Sequence, residues 1–499
     1  MIGFRRALVI STADRYFALV SNFVGLAVIS RILTPSEIGV SVVGMSIAAF
    51  GQAVRELATT NFIIQRPVLT TDDVRVTFTI LLLVTLAITG TMVSTAGLLA
   101  QLYSEPRLQT FLYIGALAIL TELISAPIAA LLRRRMEFGV LALITSTGAL
   151  INVSLTIALA MHGESYMSFA WAWLASTVWI SLLSWIIWKD RSIFIPCLRN
   201  WRQVASFGAS DGIGTVLYAI YDTVPYFVLS RVLSFDAAAL FNRGITVSRL
   251  PDKLFLGGLN SILLSALSSE LRMGKPLGKI YLRGVELLTG VLWPALLFIA
   301  LLSHWIVQVL FGQQWLGAAG ILSVMAIASL FSFSQYLNHP VLLAVGATRE
   351  LMKRSLIIWP VSAVIMAAAS LEGLEAASLS MLITIPFQAY ISIVCVYRYI
   401  DIGWKDVAMA FRSSAIVALC STAGPLAIVL LHGFEFPAMS SLPFLAILLC
   451  GAGWFVGLWF TAHPLLDEID QIVARAMSIP GFGWLGLGRR LTNPSEVSQ

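Results

Sequence analysis

The sequence predicts an all-α polytopic membrane protein: about fourteen transmembrane helices, arranged as two parallel six-helix lobes plus two C-terminal helices. Three observations carry that expectation. Of the 499 residues, 58% are hydrophobic and 12% charged, roughly half the charge of an ordinary soluble chain. Apolar stretches long enough to cross a hydrocarbon layer of roughly 30 Å recur along the whole length. Finally, VISRILTPSEIGV (28–40) has a counterpart in VLSRVLSFDAAAL (228–240): an apolar run broken by one arginine, then Leu, then an acid.

Apolar windows place the helices at 11–33, 37–61, 76–102, 109–132, 139–161, 167–188, 205–232, 236–262, 284–311, 316–345, 355–371, 374–397, 409–431 and 441–462. The first follows a basic start, MIGFRR, like that of a signal peptide. Asp14 and Arg15 interrupt its apolar run and no small-x-small site follows, which predicts an uncleaved span. Lys and Arg alternate between connections. If the N-terminus is cytoplasmic, the inside segments hold 24 of the 32 basic residues, and five of the seven outside loops hold none. Arg133–Arg135 and the group Arg349, Lys353 and Arg354 are counted among these inside-loop cations. The bias predicts a multi-pass protein with both termini in the cytoplasm.

The repeat extends. QLYSEPRLQTFLYIGAL (101–117) parallels QVLFGQQWLGAAGILSV (308–324), and APIAALLRRRMEFG (126–139) parallels HPVLLAVGATRELM (339–352), aligning Pro127 with Pro340 and Glu137 with Glu350. Six helices separate the copies, and an even number preserves orientation, so the repeats are parallel. The division is an N-terminal lobe at 1–200, a second lobe at 201–400, two additional helices at 401–465 and an amphipathic cytoplasmic tail at 466–499.

Charge inside the spans is costly, on the order of 2.5–3.5 kcal/mol per residue on insertion scales, and so marks function. The eighth window carries Asn242, Thr246, Arg249 and Lys253 on one helical face, with Arg243 and Asp252 beside them and Pro251 set to kink the helix. The seventh carries Asp211, Thr215, Tyr218 and Asp222. In the first lobe, the second window offers Gln52, Arg55 and Thr59 with Glu56, the first offers Arg15 and Asn22, and the fourth offers Glu122. Such faces line a wet cavity or pair across an interface. A cavity walled by Arg15, Arg55, Arg249 and Lys253, with Asn22, Gln52, Asn242 and Thr246, suits an anion, because guanidinium forks match phosphate oxygens in pairs. The blander account is salt bridging of these cations to Glu56, Asp222 or Asp252.

Other signals are weak. The four cysteines form no CxxC and no loop pair, so neither a disulfide framework nor a metal site is expected. GFGWLG (Gly481, Gly483, Gly486) spells GxGxxG but follows a proline in the tail, away from any strand–helix unit. His304 and His339 read as structural, and Asn152-Val-Ser154 is a sequon within a span. There is no aromatic–basic stripe for nucleic acid and no cofactor motif. No paired carboxylates or nucleophile–base pair suggest an enzyme, catalytic residues are not expected, and the outside loops are too short for a polysaccharide polymerase.

The helix-closing phrase SRILTPSEIG, the charged second helix with Arg55, the fourteen spans in two parallel lobes and the loop RRRMEFG together resemble a known family. They are similar to the polysaccharide flippases of the multidrug/oligosaccharidyl-lipid/polysaccharide exporter superfamily. The resemblance covers about residues 5–460 and is narrower to the Wzx-type oligosaccharide flippases and the exporters of succinoglycan-type exopolysaccharide. It implies translocation of an undecaprenyl-diphosphate-linked repeat unit from the cytoplasmic to the periplasmic leaflet of a bacterial inner membrane. It also implies a cationic central cavity, to which Arg15, Arg55, Arg249 and Lys253 would correspond. Where an ion gradient drives the cycle, Asp211, Asp222 or Glu56 would carry the ion. Implied partners are the lipid-linked substrate and membrane lipids, with a polysaccharide polymerase and a chain-length regulator as candidates. The alternative is a multidrug or small-molecule exporter of the same fold, which would favour acidic and aromatic cavity walls.

Overall fold

The computed structural model describes residues 2–56, 60–255, 277–400, 402–437 and 440–470, with side chains from residue 13 onward except at 209–211, 348 and 404. The described chain is helical throughout. The first lobe comprises α1 (Ile2–Ile32), α2 (Pro35–Arg55), the short α3 (Asn61–Gln65), α4 (Thr71–Leu102), α5 (Arg107–Arg134), α6 (Phe138–Met161) and α7 (Met167–Ile187). The second comprises α8 (Trp201–Val232), α9 (Phe235–Ser248), α10 (Leu250–Phe255), α11 (Leu277–Leu301), α12 (Ser303–Phe311), α13 (Ala318–Ala328), α14 (Phe333–Ala344), α15 (Thr348–Glu372) and α16 (Leu374–Tyr397). Two more helices, α17 (Trp404–His432) and α18 (Leu442–Phe460), pack against each other and against α11.

Among the described residues, thirteen helical spans are long and apolar enough to cross a membrane, with α13 and α14 together forming one of them, Ala318–Ala344. The fourteenth expected pass, 236–262, begins as α9 and α10, and residues 256–262 lie outside the described chain. Pro251 has no N–H to donate, and the helix is reset there while the bonds from Arg249 N–H to Ile245 and from Lys253 N–H to Arg249 persist. The single span expected over 284–311 is instead two helices. Leu302 leaves helical geometry (φ −106, ψ 20) and α12 turns away as a separate nine-residue piece. Twenty-five residues already exceed what a bilayer requires, so the surplus is free to pack across the lobe boundary.

The duplicated phrase is a stop–start signal. In the first copy Thr34 caps α2, accepting from the Glu37 N–H while the Glu37 carboxylate accepts from the Thr34 N–H, and Pro35 opens the helix. In the second copy Ser234 caps α9 by accepting from the Ala237 N–H. Each phrase therefore builds a tight hairpin between the first two helices of its lobe.

These hairpins meet at one end of the molecule, opposite the face that carries most of the Arg- and Lys-rich connections, here termed the basic face. A Cβ at Gly39 would overlap the carbonyl oxygen of Phe235, so α2 and α9 touch backbone to backbone. The Trp315 indole N–H donates to the Ser30 carbonyl at 2.7 Å, and the Gln314 amide donates to Ser30 at 2.8 Å and Leu33 at 3.1 Å. Arg31 donates to the Val309 carbonyl. Arg243, 2% exposed, donates to the Ser30 hydroxyl at 3.0 Å and lies over the rings of Trp315 and Phe311. Apart from the Arg243 ring contacts, which lie within the second lobe, these contacts run between lobes and hold that end together.

Candidate functional site

Space remains between the lobes beyond these contacts. A cavity of about 420 Å³ lies between Ser41, Met45 and Ala49 of α2 and Asp222, Asn242 and Arg249 of α8 and α9. It shares Arg249 and Lys253 with a cavity of about 270 Å³ inside the second lobe. It shares Thr246 and Lys253 with a third, of about 560 Å³, walled by Arg15 and Asn22 of α1. Lys253, whose side chain is exposed, lines all three.

The helical spacing of the α9–α10 stripe accounts for this convergence. Asn242, Thr246, Arg249 and Lys253 recur every three or four residues and therefore present one continuous face. Arg249 donates to the Asp222 carboxylate at 2.8 Å, and Tyr218 O–H reaches the same oxygen at 3.4 Å. Asn242 donates to the Tyr226 hydroxyl at 3.3 Å, and its carbonyl accepts from Arg243 at 3.2 Å. Thr246 and Asn22 each donate to a carbonyl one turn back, at Asn242 and Ala18.

Arg55 departs from the expected arrangement. Its guanidinium bonds Glu122 on α5 at 2.5 Å, not the adjacent Glu56, and lines a separate cavity of about 220 Å³ within the first lobe. Packing of α2 on α5 turns it inward, away from Arg249 and Lys253. Gln52 is half-buried and lines none of these cavities, and Glu56 is an exposed residue capping α2. The side chain of Asp211 lies outside the described residues. Of the eleven residues singled out by the sequence, Arg15, Asn22, Asp222, Asn242, Thr246, Arg249 and Lys253 come together; Arg55, Gln52 and Glu56 do not.

Asp252 carries a larger part than its position beside the stripe suggested. It is 7% exposed, accepts from the Tyr336 O–H at 2.9 Å through one oxygen, and its other oxygen has no hydrogen-bond partner. Gln335 and Gln388, joined by a 2.6 Å hydrogen bond, complete that cavity wall. Tyr336, Gln335 and Gln388 were not legible from their own helices, which are apolar, and only packing brings them to Asp252. No group of three or more His, Cys, Asp or Glu able to hold a metal ion occurs among the described residues.

The profile described as "Polysaccharide biosynthesis protein" matches residues 28–320, more than half of the chain. The succinoglycan biosynthesis transport protein ExoT of Rhizobium meliloti is 22% identical over 62% of this chain and 62% of its own length. The lipopolysaccharide biosynthesis protein WzxC of Escherichia coli is 20% identical over 62% of this chain and 63% of its own length. The matches thus span less than two thirds of these relatives. In three dimensions the chain is similar to the lipid II flippase MurJ in an inward closed conformation, with TM-score 0.73, 13% identity, and coverage of 90% of this chain and 98% of MurJ. An inward-facing multidrug resistance transporter of the MATE family aligns with TM-score 0.60, 12% identity, and coverage of 81% and 99%. These likenesses establish the fold.

Proposed function

The chain belongs to the polysaccharide biosynthesis protein family, and from that premise we propose that it flips a lipid-linked oligosaccharide across the bacterial inner membrane by alternating access. The basic face is read as cytoplasmic on the distribution of Lys and Arg. The substrate class is an undecaprenyl-diphosphate-linked repeat unit, delivered to the periplasmic leaflet for exopolysaccharide or lipopolysaccharide assembly. A polymerase and a chain-length regulator are its candidate partners.

One observation supports this reading most strongly: Lys253 lines three adjoining cavities and Arg249 two of them, with Asp222 and Asp252 as the described carboxylates beside the pair. A diphosphate offers oxygens to both cations at once, and guanidinium and ammonium are its natural ligands in a low-dielectric site. Arg15 faces the same space from α1 and supplies a further cation. Asp222 competes with the diphosphate for Arg249, so binding of substrate frees the carboxylate to take up a proton or cation. This couples the ion to the load as a reciprocal free energy. Asp252, whose second oxygen is unpaired, is a better-placed second carboxylate than Glu56.

The test is to replace Arg249 and Lys253 together by Gln and follow polysaccharide output at matched protein level, with flipping of a diphosphate-linked lipid by the purified protein in vesicles. Loss of both activities is expected. Full flipping by the double variant, or drug resistance without any effect on polysaccharide, would overturn the reading in favour of a multidrug exporter.

A further inference from the structure

Arg354 was counted from the sequence as a cation of an inside loop. The structure instead embeds it in α15, two turns from the helix start, 9% exposed, with Nε and Nη1 buried and without hydrogen-bond partners. Glu350, one turn earlier on the same helix, is the residue that ordinarily pairs with an arginine at that spacing. It is engaged elsewhere: the Lys353 ammonium takes its carboxylate at 2.6 Å. Arg354 is thus a buried cation whose obvious counter-charge has been drawn away, an arrangement that costs several kcal/mol unless something else supplies the anion.

Arg354 lines a cavity of about 660 Å³ between α8, α14 and α15. The polar groups around it are Gln65, Thr215, His339 and Ser355, each with a donor, and no Asp or Glu is among the described residues that form the wall. A guanidinium with hydroxyl and amide donors beside it, in a space whose described walls hold no carboxylate, matches a phosphoryl group, which accepts two parallel N–H bonds from the fork. Two aromatic residues, Tyr218 and Trp359, line both this cavity and the one holding Arg249, Asp252 and Lys253. Their rings meet edge to face at 4.9 Å and separate the two spaces.

We propose that this cavity is a second anion site, which binds a phosphoryl group on Arg354 behind the Tyr218–Trp359 partition, apart from the site at Arg249 and Lys253. The phosphate belongs either to the diphosphate of the substrate or to the headgroup of a membrane lipid. Only the first of these carriers rests on the flippase reading; the site itself does not.

The test uses the full chain in nanodiscs of phosphatidylcholine, with inorganic pyrophosphate as probe in equilibrium binding. The wild type is expected to take two equivalents. Arg354→Gln is expected to take one, with at least a tenfold loss at the missing site, and to lose the part of the pyrophosphate-induced rise in melting temperature that this site supplies. Arg249→Gln with Lys253→Gln is expected to remove the other equivalent. Where Arg354→Gln folds poorly, Thr215→Leu, which fills the cavity and leaves the arginine, is expected to lose the same equivalent. A structural arginine would behave differently: its replacement would lower the melting temperature without changing pyrophosphate binding, and that result overturns the proposal. Nanodiscs containing phosphatidylglycerol distinguish the source. If that lipid suppresses only the equivalent lost in Arg354→Gln, and co-purifies with the wild type but not with the variant, the site takes a headgroup. If it does not compete, the site takes a substrate diphosphate. Retention of both equivalents by the variant with Arg249→Gln and Lys253→Gln would sink the flippase reading while leaving the Arg354 site standing.

Discussion

The Arg249 guanidinium and the Asp222 carboxylate are 2.8 Å apart, and both border the cavity between the lobes. Neither group is sealed in dry contact, since their side chains remain 32% and 28% exposed. The pair links α8 to the end of α9, and on the proposed function an incoming anion displaces Asp222 from Arg249. Asp222→Asn should therefore tighten diphosphate binding, by about tenfold for an interaction of ~1.4 kcal/mol, while slowing flipping because release is hindered. Equilibrium binding and vesicle flipping on the same preparation check both directions. Unchanged binding would mean that the carboxylate does not compete.

Gly39 presses on the Phe235 carbonyl with no room for a Cβ. Gly39→Val should wedge the lobes apart at the sealed end. Thiol labelling of a Ser41→Cys reporter from outside the cell is expected to rise several-fold, with polysaccharide output falling. The same labelling in both backgrounds would show that α2 and α9 do not form the seal.

The Trp315–Ser30 bond is one strand of that seal, supported by Arg243. Trp315→Phe keeps the ring over which Arg243 lies but deletes the indole N–H, a loss of about 0.5–1.5 kcal/mol. That corresponds to a shift of roughly three- to tenfold toward the state open at that end, readable with the same Ser41→Cys reporter. A drop in protein level without a change in labelling would assign the bond to folding alone.

His463 follows α18 and is 1% exposed. Its Nδ1 accepts the Leu465 N–H at 3.2 Å, and Nε2 lies 3.3 Å from the Ser414 hydroxyl. Burial pushes its pKa down to about 4. The unfolded imidazole titrates near ~6.5, so the unfolded chain takes up a proton first as pH falls. Stability is complete above ~6.5 and declines between there and 4, by on the order of 1–3 kcal/mol. Thermal denaturation from pH 7.5 to 4.5 should show that decline in the wild type and a shallower one in His463→Gln. Equal slopes would exclude His463 as the source.

Much of the architecture was legible because a bilayer permits few solutions. Every backbone donor within it must be satisfied inside its own helix, so apolar windows translate directly into helices. The TPSEIG phrase was legible for a local reason, the capping box of Thr34 and Glu37, which involves atoms three residues apart. The α9–α10 stripe was legible for the same kind of reason, since four polar residues at helical spacing share a face whatever surrounds them. Arg55 was misassigned because its partner, Glu122, is 67 residues distant, and which neighbour it meets depends on the rotation of α2 against α5. Arg354 was read as a loop cation because hydropathy averages over a window and cannot tell a polar helical turn in water from one under neighbouring helices.

The amino-acid sequence by itself determined that this chain is a bundle of membrane helices, duplicated in parallel, with cations concentrated on one early helix of the second lobe. Those properties follow from local periodicity, capping and the cost of exposing backbone to lipid. Only the tertiary structure decided which cations share a space, which are neutralised, and which, like Arg354, are buried with donors that no described residue satisfies. Those outcomes depend on how helices rotate and cross, and side chains from distant segments meet only when that packing is complete.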